Sequence, residues 1–221
     1  MDLSKSFEFF DPDKCKETIH LIGCGSVGST VAELLARFGL THMHLYDFDY
    51  VEPHNLVNQM FTRDQVGMEK TEALKQILLS INPEMEIKLH KEGWKEDTPL
   101  TGYVFLAVDN IDLRRKIVEE NKFNSYIKAM FDFRTGLTDG QHYAADWSDN
   151  KSRKAFLDTM KFSHEEVQQT LSACNVALCV APTVRLVCNA GVTNFINFVK
   201  GEHLYRAIST DAFKFVLEPI G

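Results

Sequence analysis

The chain has 221 residues, of which 44% are hydrophobic and 11% aromatic, and its formal net charge is −7. This size and apolar content allow one large domain with a packed core, and no stretch approaches the roughly 18 apolar residues of a membrane span. The acidic balance argues against nucleic acid as the main partner and leaves a nucleotide or a basic protein surface open.

The N-terminal residues are polar and acidic, and Asp11-Pro12-Asp13 breaks any regular pattern among them. They lack the basic and then apolar plan of a signal peptide, so we expect a cytoplasmic protein without a membrane partner. We interpret residues 1–17 as a short arm and residues 18–221 as a single domain, with halves at 18–135 and 136–221.

The stretch Thr18–Gly28 reads TIHLIGCGSVG, an apolar run that ends in a glycine-rich turn. Apolar residues then recur at helical spacing until Gly39, where the helix should end. In this strand–turn–helix context the G-x-G-x-x-G pattern predicts a nucleotide-binding site. Gly23 permits the tight turn, Gly25 lets the backbone approach a phosphate, and Gly28 lets helix and strand pack closely.

The rest of the chain alternates between strand and helix patterns. Apolar or alternating runs predict strands at 42–49, 86–90, 103–108, 126–133, 141–147 and 213–217, and helical spacing predicts helices at 69–81, 112–121 and 183–199. Residues 51–66 have no clean period and are interpreted as a functional loop, while 163–166 has the pattern of a helix start. The elements predict an α/β fold with a doubly wound, mostly parallel, Rossmann-like sheet, an antiparallel extension and a long C-terminal packing helix.

Asp47 lies at the end of the second predicted strand, nineteen residues after Gly28. At this place a carboxylate accepts hydrogen bonds from ribose hydroxyls, as it would in a nicotinamide-dependent oxidoreductase. The continuation at 47–59 is the polar block DFDYVEPHNLVNQ. Such a block favours an enzyme that handles a triphosphate, because amides and cations must surround the phosphates.

Four pieces of the sequence together resemble the ThiF/MoeB family, the adenylating enzymes that activate ubiquitin and its bacterial relatives. They are GCGSVG, the DFDxVExHNLxNQ block, the helix start GMEK at 67–70, and Asp109–Asn110 after the fourth predicted strand. The resemblance covers residues 15–200. It implies ATP- and Mg²⁺-dependent adenylation of a carboxylate, typically the C-terminal glycine of a ubiquitin-like or sulfur-carrier protein of β-grasp fold, with release of pyrophosphate.

The resemblance also implies site residues. Nucleotide-binding roles fall on Gly23, Gly25, Gly28, Asp47, Asn55, Asn58, Lys70 and Asn110, and catalytic roles on Lys70, Asp109, Asn58 and Arg63. Asp47 would hold the ribose, Asn55 and Asn58 would bond phosphate oxygens, and Lys70 would neutralise the phosphate chain. Asp109 would hold Mg²⁺, which prefers one or two carboxylates plus phosphate oxygens. The half at 18–135 would then bind ATP, and the half at 136–221 would bind substrate and form a homodimer.

Two departures from the family pattern concern charge and the thiol. Asn58 stands where relatives commonly carry arginine, and an amide contributes no charge; Arg63 is the nearby residue that would compensate. The arm contains no arginine, although relatives often supply one from there. Relatives also pass the acyl group to a cysteine on a crossover loop, but residues 139–171 contain none. Cys174 follows directly; a structural role is its default interpretation, and it is the candidate acyl acceptor if a thioester forms.

The five cysteines form no CxxC pair, so we expect no structural zinc. Two other functions stay open. A nicotinamide-dependent oxidoreductase would share the glycine motif and Asp47, but no Tyr/Lys or His/Asp pair is placed for hydride chemistry. A catalytically weak module that binds a nucleotide or a partner protein is favoured by Asn58, the arginine-free arm and the missing thiol. A tRNA-modifying dehydratase that adenylates a carboxylate would be a variant of the first function.

Overall fold

Eight strands form one sheet in the order β3-β2-β1-β4-β5-β6-β7-β8 in the computed structural model, which describes residues 1–166 and 178–220. The strands are β1 Ile19–Ile22, β2 His42–Tyr46, β3 Glu86–His90, β4 Gly102–Leu106, β5 Ile127–Thr135, β6 Asp139–Asp146, β7 Ala207–Asp211 and β8 Val216–Ile220. Strands β1 to β5 pair in parallel and β5 to β8 antiparallel. The predicted doubly wound sheet with an antiparallel extension is confirmed.

Five α-helices of the described residues cover the two faces of the sheet. They are α1 Ser26–Arg37, α2 Lys70–Ile81, α3 Ile111–Glu120, α4 Asn150–Asp158 and α5 Ala181–Val199. Side chains alternate across each central strand, so that Phe105 belongs to the core cluster that includes residues of α1, α2 and α5, whereas its neighbours Val104 and Leu106 belong to the cluster that includes residues of α3 and α4. No helix of the described residues is long and apolar enough to cross a bilayer.

The C-terminal part differs most from the sequence-based expectation. Strand β7, with the sequence AISTD, was not predicted, because a mixed polar run has neither strand nor helix periodicity. Strand β8 begins at Val216 rather than at residue 213. The charged stretch after residue 149 forms α4, whose first turn is capped by the Asp149 carboxylate. The pattern at 163–166 starts only a short 3-10 turn among the described residues.

Three histidines lie on neighbouring strands β1, β2 and β3, on one face of the sheet. His20 is buried, and its Nδ1 lies 2.8 Å from the Tyr46 hydroxyl, while Tyr46 stacks on His90 with ring centroids 4.1 Å apart. The backbone N–H of Thr101 donates to Nε2 of His20, so the ring is neutral with its proton on Nδ1. Burial, helped by the charges of His44, His90 and Lys88, lowers the pKa of His20 to about 3. His20 of β1 therefore stays uncharged in the folded state near neutral pH.

We predict that His20 makes stability depend on pH. Between about pH 6.5 and 3 the unfolded chain protonates His20 and the folded chain does not, so this group lowers the free energy of unfolding as the pH falls, by up to about 1.4 kcal/mol per pH unit. Urea denaturation from pH 7 to pH 4 should give a shallower pH slope for His20→Gln than for wild type. The exposed His203→Gln is the control and should keep the wild-type slope. Equal slopes for wild type and His20→Gln would contradict the prediction.

Candidate functional site

The glycine turn joins the end of β1 to the start of α1 and has almost no room for side chains. Gly23 has φ +98°, and a Cβ there would lie 2.7 Å from the carbonyl carbon and oxygen of Ala107, beyond the end of β4. A Cβ at Gly28 would lie 1.9 Å from the Gly23 carbonyl oxygen. Gly25, which precedes the first residue of α1, has no atom within 4 Å of its Cβ position. Two glycines are therefore required by packing, and the third faces open space.

A cavity of about 490 Å³ opens over this turn, at the carboxyl ends of β1, β2 and β4. Its position is the switch point of the sheet, because β1 connects to β2 on one side and has β4 on the other. Six of the residues predicted from sequence line it, and they are Gly23, Gly25, Asp47, Lys70, Asp109 and Asn110. The fold thus brings together at one sheet edge the main polar groups that the sequence motifs singled out.

Asp47 links the end of β2 to the glycine turn. Its carboxylate accepts hydrogen bonds from the backbone N–H of Cys24 at 2.6 Å and of Asp49 at 2.8 Å. Burial raises the pKa of Asp47 above its usual value, although these two hydrogen bonds and the charge of Lys70 act in the opposite direction. The carboxylate is therefore held in a fixed direction at the cavity wall, as ribose recognition requires.

Lys70 is the first residue of α2, and its side chain is only 10% exposed. Its Nζ donates to Oδ2 of Asp49 at 2.8 Å, and its backbone N–H donates to the Asp49 carbonyl at 2.9 Å. Both side chains line the cavity. A negatively charged ligand that reaches Lys70 must therefore share this ammonium group with Asp49.

Asp109 and Asn110 follow β4 and lead into α3. Oδ1 of Asn110 accepts hydrogen bonds from the backbone N–H groups of Asp112 and Leu113, at 2.9 and 3.0 Å, and so caps the helix. Asp109 is exposed at the cavity. Because the neighbouring amide supplies the cap, the carboxylate of Asp109 has no capping role and faces the cavity.

Other residues predicted for the site do not line this cavity. Asn55 is buried, and its Oδ1 accepts from the Glu52 N–H at 2.9 Å within a 3-10 turn. Asn58 donates from Nδ2 to the Cys179 carbonyl at 2.9 Å, and Arg63 is exposed on another 3-10 turn. Gly28 lies beneath the turn. Cys174 lies outside the described residues.

Some cavity residues had not been assigned a role from the sequence, among them Phe48, Asp49, Gln59 and Trp94. Three of them belong to the polar block at 47–59, so the block itself was the signal. Trp94 lies in the loop after β3, where the sequence has no motif. Oε1 of Gln59 and Nε1 of Trp94 are buried and have no hydrogen-bond partner among residues 1–166 and 178–220. Polar atoms in this state are candidates for pairing when a ligand rearranges the cavity.

The charges of the cavity fit a magnesium–polyphosphate ligand better than a bare anion. Among the described residues, Asp47, Asp49 and Asp109 line it together with one cationic side chain, Lys70. Carboxylate oxygens are ligands that Mg²⁺ prefers, and it is commonly bound by one or two of them plus phosphate oxygens. Within residues 1–166 and 178–220, no cluster of three or more His, Cys, Asp or Glu side chains could hold a metal ion. The residues present therefore suit a cation that arrives with its nucleotide.

Fold and site define an α/β protein with a Rossmann-like sheet and a cavity at its switch point. A model of the ThiF family matches residues 13–217, and the chain belongs to this family. Among curated proteins, ubiquitin-like modifier-activating enzyme 5 of Drosophila willistoni is 36% identical over 97 residues, which cover 44% of this chain and 21% of that protein. The enzyme of the same name from Oryza sativa subsp. japonica is 45% identical over 71 residues, 32% of this chain and 17% of that protein.

Solved structures show the same fold at low sequence identity. A crystal structure of PaaA has a TM-score of 0.72 and 18% identity, covering 94% of this chain and 65% of that one. A crystal structure of E. coli MccB with ATP has a TM-score of 0.69 and 19% identity, with coverage of 94% and 65%. The chain therefore spans about a fifth of the curated relatives and about two thirds of these solved chains.

We predict that alanine substitution at two glycines of the turn affects different properties of the protein. Gly28→Ala should lower the thermal stability strongly, because its Cβ meets a backbone carbonyl that cannot move away. Gly25→Ala should keep a melting temperature close to wild type, since its Cβ meets nothing, but should weaken nucleotide binding by filling space in the cavity. Thermal denaturation and calorimetric titration with ATP measure the two effects. Equal stability of the two variants would contradict the packing argument.

Proposed function

We propose that this chain binds ATP together with Mg²⁺ and adenylates a carboxylate, releasing pyrophosphate. The observation that carries the proposal is the convergence of the glycine turn, Asp47, Lys70 and Asp109 on one cavity at the switch point. Membership of the ThiF family supports it, as do relatives named as ubiquitin-like modifier-activating enzymes and a similar fold solved with ATP.

The cavity has an apolar part and a polar part, which orient the nucleotide. Phe48, Trp94 and Leu113 line the apolar part and suit a purine base. Asp47 lies at the end of β2, where it would accept hydrogen bonds from the ribose hydroxyls. The phosphates would then lie at the start of α1, where Gly25 leaves the backbone open and unpaired N–H groups attract an anion.

The reaction requires positioning and charge stabilisation more than proton transfer. A carboxylate is already ionised at neutral pH and attacks the α-phosphorus in line, so that pyrophosphate leaves with the bonding electrons. Lys70 would turn from Asp49 towards the phosphates and offset the repulsion between the two anions. The backbone N–H groups at the start of α1 would fix the phosphate chain.

Asp109 is the residue that would hold Mg²⁺, since its carboxylate faces the cavity and has no capping role. When bound, Mg²⁺ supplies charge neutralisation at the phosphate oxygens and at the leaving pyrophosphate. Asn55, Asn58 and Arg63 stay proposals as phosphate-binding residues. Nδ2 of Asn58 has two hydrogens, so it can donate one to a phosphate while the other stays on the Cys179 carbonyl.

The proposed substrate is the C-terminal carboxylate of a small protein or peptide. Relatives are named for activating a ubiquitin-like modifier, and E. coli MccB has been solved with MccA. A β-grasp carrier protein is the first candidate, and another carboxylate is the second. We also propose a homodimer in the cytoplasm and, for a thioester step, Cys174 as acceptor. The proposed division is an arm at 1–17 and a domain at 18–221.

A second candidate function is nucleotide or partner binding without efficient catalysis. It is favoured by the pairing of Lys70 with Asp49. Lys70 is the cationic side chain that the described residues place at the cavity, and the pairing with Asp49 occupies its charge. The two functions differ in whether the bound ATP is converted to an adenylate and pyrophosphate.

We predict carboxylate-dependent exchange of radiolabelled pyrophosphate into ATP. Candidate β-grasp proteins and peptides are added in turn to wild type, Asp109→Asn and Lys70→Met. Each substitution should slow exchange by about 100-fold or more, because it removes a fixed charge from the transition state. Lys122→Met and Asp97→Asn, which are both exposed and do not line the cavity, are matched charge controls and should keep wild-type rates. ATP binding without exchange for any carboxylate would favour the binding module, and NADH binding without ATP binding would contradict both.

A further inference from the structure

Two buried charged side chains, Arg114 and Asp132, and a partly buried one, Arg134, form a cluster near the C-terminal end of β4. Arg114 of α3 is 5% exposed and Asp132 of β5 is 0% exposed, while the side chain of Arg134 is 16% exposed. Charged groups are rarely buried, and burying such a set gives little net stability compared with apolar side chains of similar volume. The burial of this set therefore indicates a role beyond packing.

Arg114 binds the backbone on both sides of Ala107. Its guanidinium donates to the Leu106 carbonyl at 3.4 Å, to the Val108 carbonyl, and to Oδ1 of Asp132. Leu106 is the last residue of β4 and Val108 directly precedes Asp109. Because a guanidinium is a rigid planar donor, these contacts set the direction in which the chain leaves the strand.

The same backbone is held from the other side by the glycine turn. The Cβ position of Gly23 lies 2.7 Å from the carbonyl atoms of Ala107 and 2.9 Å from the backbone nitrogen of Val108. The segment 107–108 is therefore enclosed between the glycine turn above and Arg114 below. A change in Arg114 would move Asp109 and the floor of the cavity together.

Asp132 is fixed by a second arginine. Its Oδ2 accepts from Nε of Arg134 at 2.7 Å, and Arg134 also donates to the backbone carbonyl and hydroxyl of Thr159 at 2.8 and 2.9 Å. The guanidinium of Arg134 stacks on Tyr143, 4.5 Å from the ring centroid. Each oxygen of the Asp132 carboxylate thus accepts a hydrogen bond from a different arginine, which fixes its orientation towards Arg114.

Arg114 also interacts electrostatically with the cavity. Burial lowers its pKa, while the carboxylates of Asp132 and Asp109 favour its charged form. The guanidinium therefore lies close enough to Asp109 for the two charges to interact, in addition to holding the Leu106 and Val108 carbonyls that precede it.

We propose that Arg114, held by Asp132, is a positioning residue that sets Asp109 for binding of Mg²⁺ with the nucleotide. This inference rests on the proposed function, because it concerns the same cavity and ligand. Arg114 does not line the cavity, so its effect on the ligand passes through the Val108–Asp109 backbone.

The test is a double-mutant cycle on nucleotide binding, read without turnover. Calorimetry measures ATP affinity with and without Mg²⁺ for wild type, Arg114→Met, Asp109→Asn and the double variant. Arg114→Met should reduce the Mg²⁺-dependent gain in affinity by about 10-fold or more, as removal of an outer-shell partner does, and should leave affinity for metal-free ATP within about threefold of wild type. The double variant should lose no more than Asp109→Asn alone, because both substitutions remove one interaction.

Arg115→Met is the matched control. Arg115 is the next residue of α3, and its hydrogen bonds within the described part of the chain go to the Met160 and Phe162 carbonyls and to Asp112 rather than to 107–109. Arg115→Met should keep the wild-type gain in ATP affinity on addition of Mg²⁺. Circular dichroism checks folding; if Arg114→Met is unfolded, Arg114→Lys and Asp132→Asn replace it and should show the same selective loss.

Additive losses in the double variant, or equal weakening with and without Mg²⁺, would overturn the inference, since a purely structural role predicts them. An unchanged Mg²⁺ gain in folded Arg114→Met would overturn it too, while a normal effect of Asp109→Asn would leave the proposed function standing. If wild type binds no ATP, the proposed function fails and the inference fails with it.

Discussion

The structure depends on the close contact between the glycine turn after β1 and the backbone that leaves β4. Only glycine fits at Gly23 and Gly28, because their Cβ positions fall on backbone atoms of Ala107 and of Gly23 itself. β1 and β4 are neighbours at the switch point of the sheet, so this contact leaves a crevice above them. Gly25 lies at its open side, and the ends of β2 and β4 deliver Asp47 and Asp109 to its walls.

Charge is the second constraint on this site. In the part of the chain that the structure describes, three aspartates and one lysine line the cavity, and the lysine is already paired with Asp49. A polyphosphate would meet net repulsion there unless a divalent cation accompanied it. Beneath the floor, Arg114 and Arg134 share the buried carboxylate of Asp132. Neither guanidinium lines the cavity. Arg114 therefore affects the site through the Leu106 and Val108 carbonyls that it binds.

Part of the site could be predicted because its residues stand at strand ends. The glycine motif, Asp47 and Asp109 follow β1, β2 and β4, and carboxyl ends of parallel strands meet at one edge. The amides of the polar block could not be sorted in this way. Asn55 stabilises its own turn, Asn58 reaches the Cys179 carbonyl, and Gln59 lines the cavity. These three amides have similar chemistry in sequence, and only the path of the loop separates them.

The sequence by itself determined the order of strands and helices except for α4 and β7, the glycine turn and the family resemblance, because periodicity and turn chemistry act between residues close in the chain. It did not reveal β7, whose polar sequence becomes a strand only because β6 and β8 pair with it on both sides. Nor did it reveal that Arg114 would meet Asp132 beneath Asp109. That contact joins a helix to a strand 18 residues away, and it exists only once β4 and β5 lie side by side. Tertiary structure decided it, because sheet order rather than chain neighbourhood brings those side chains together.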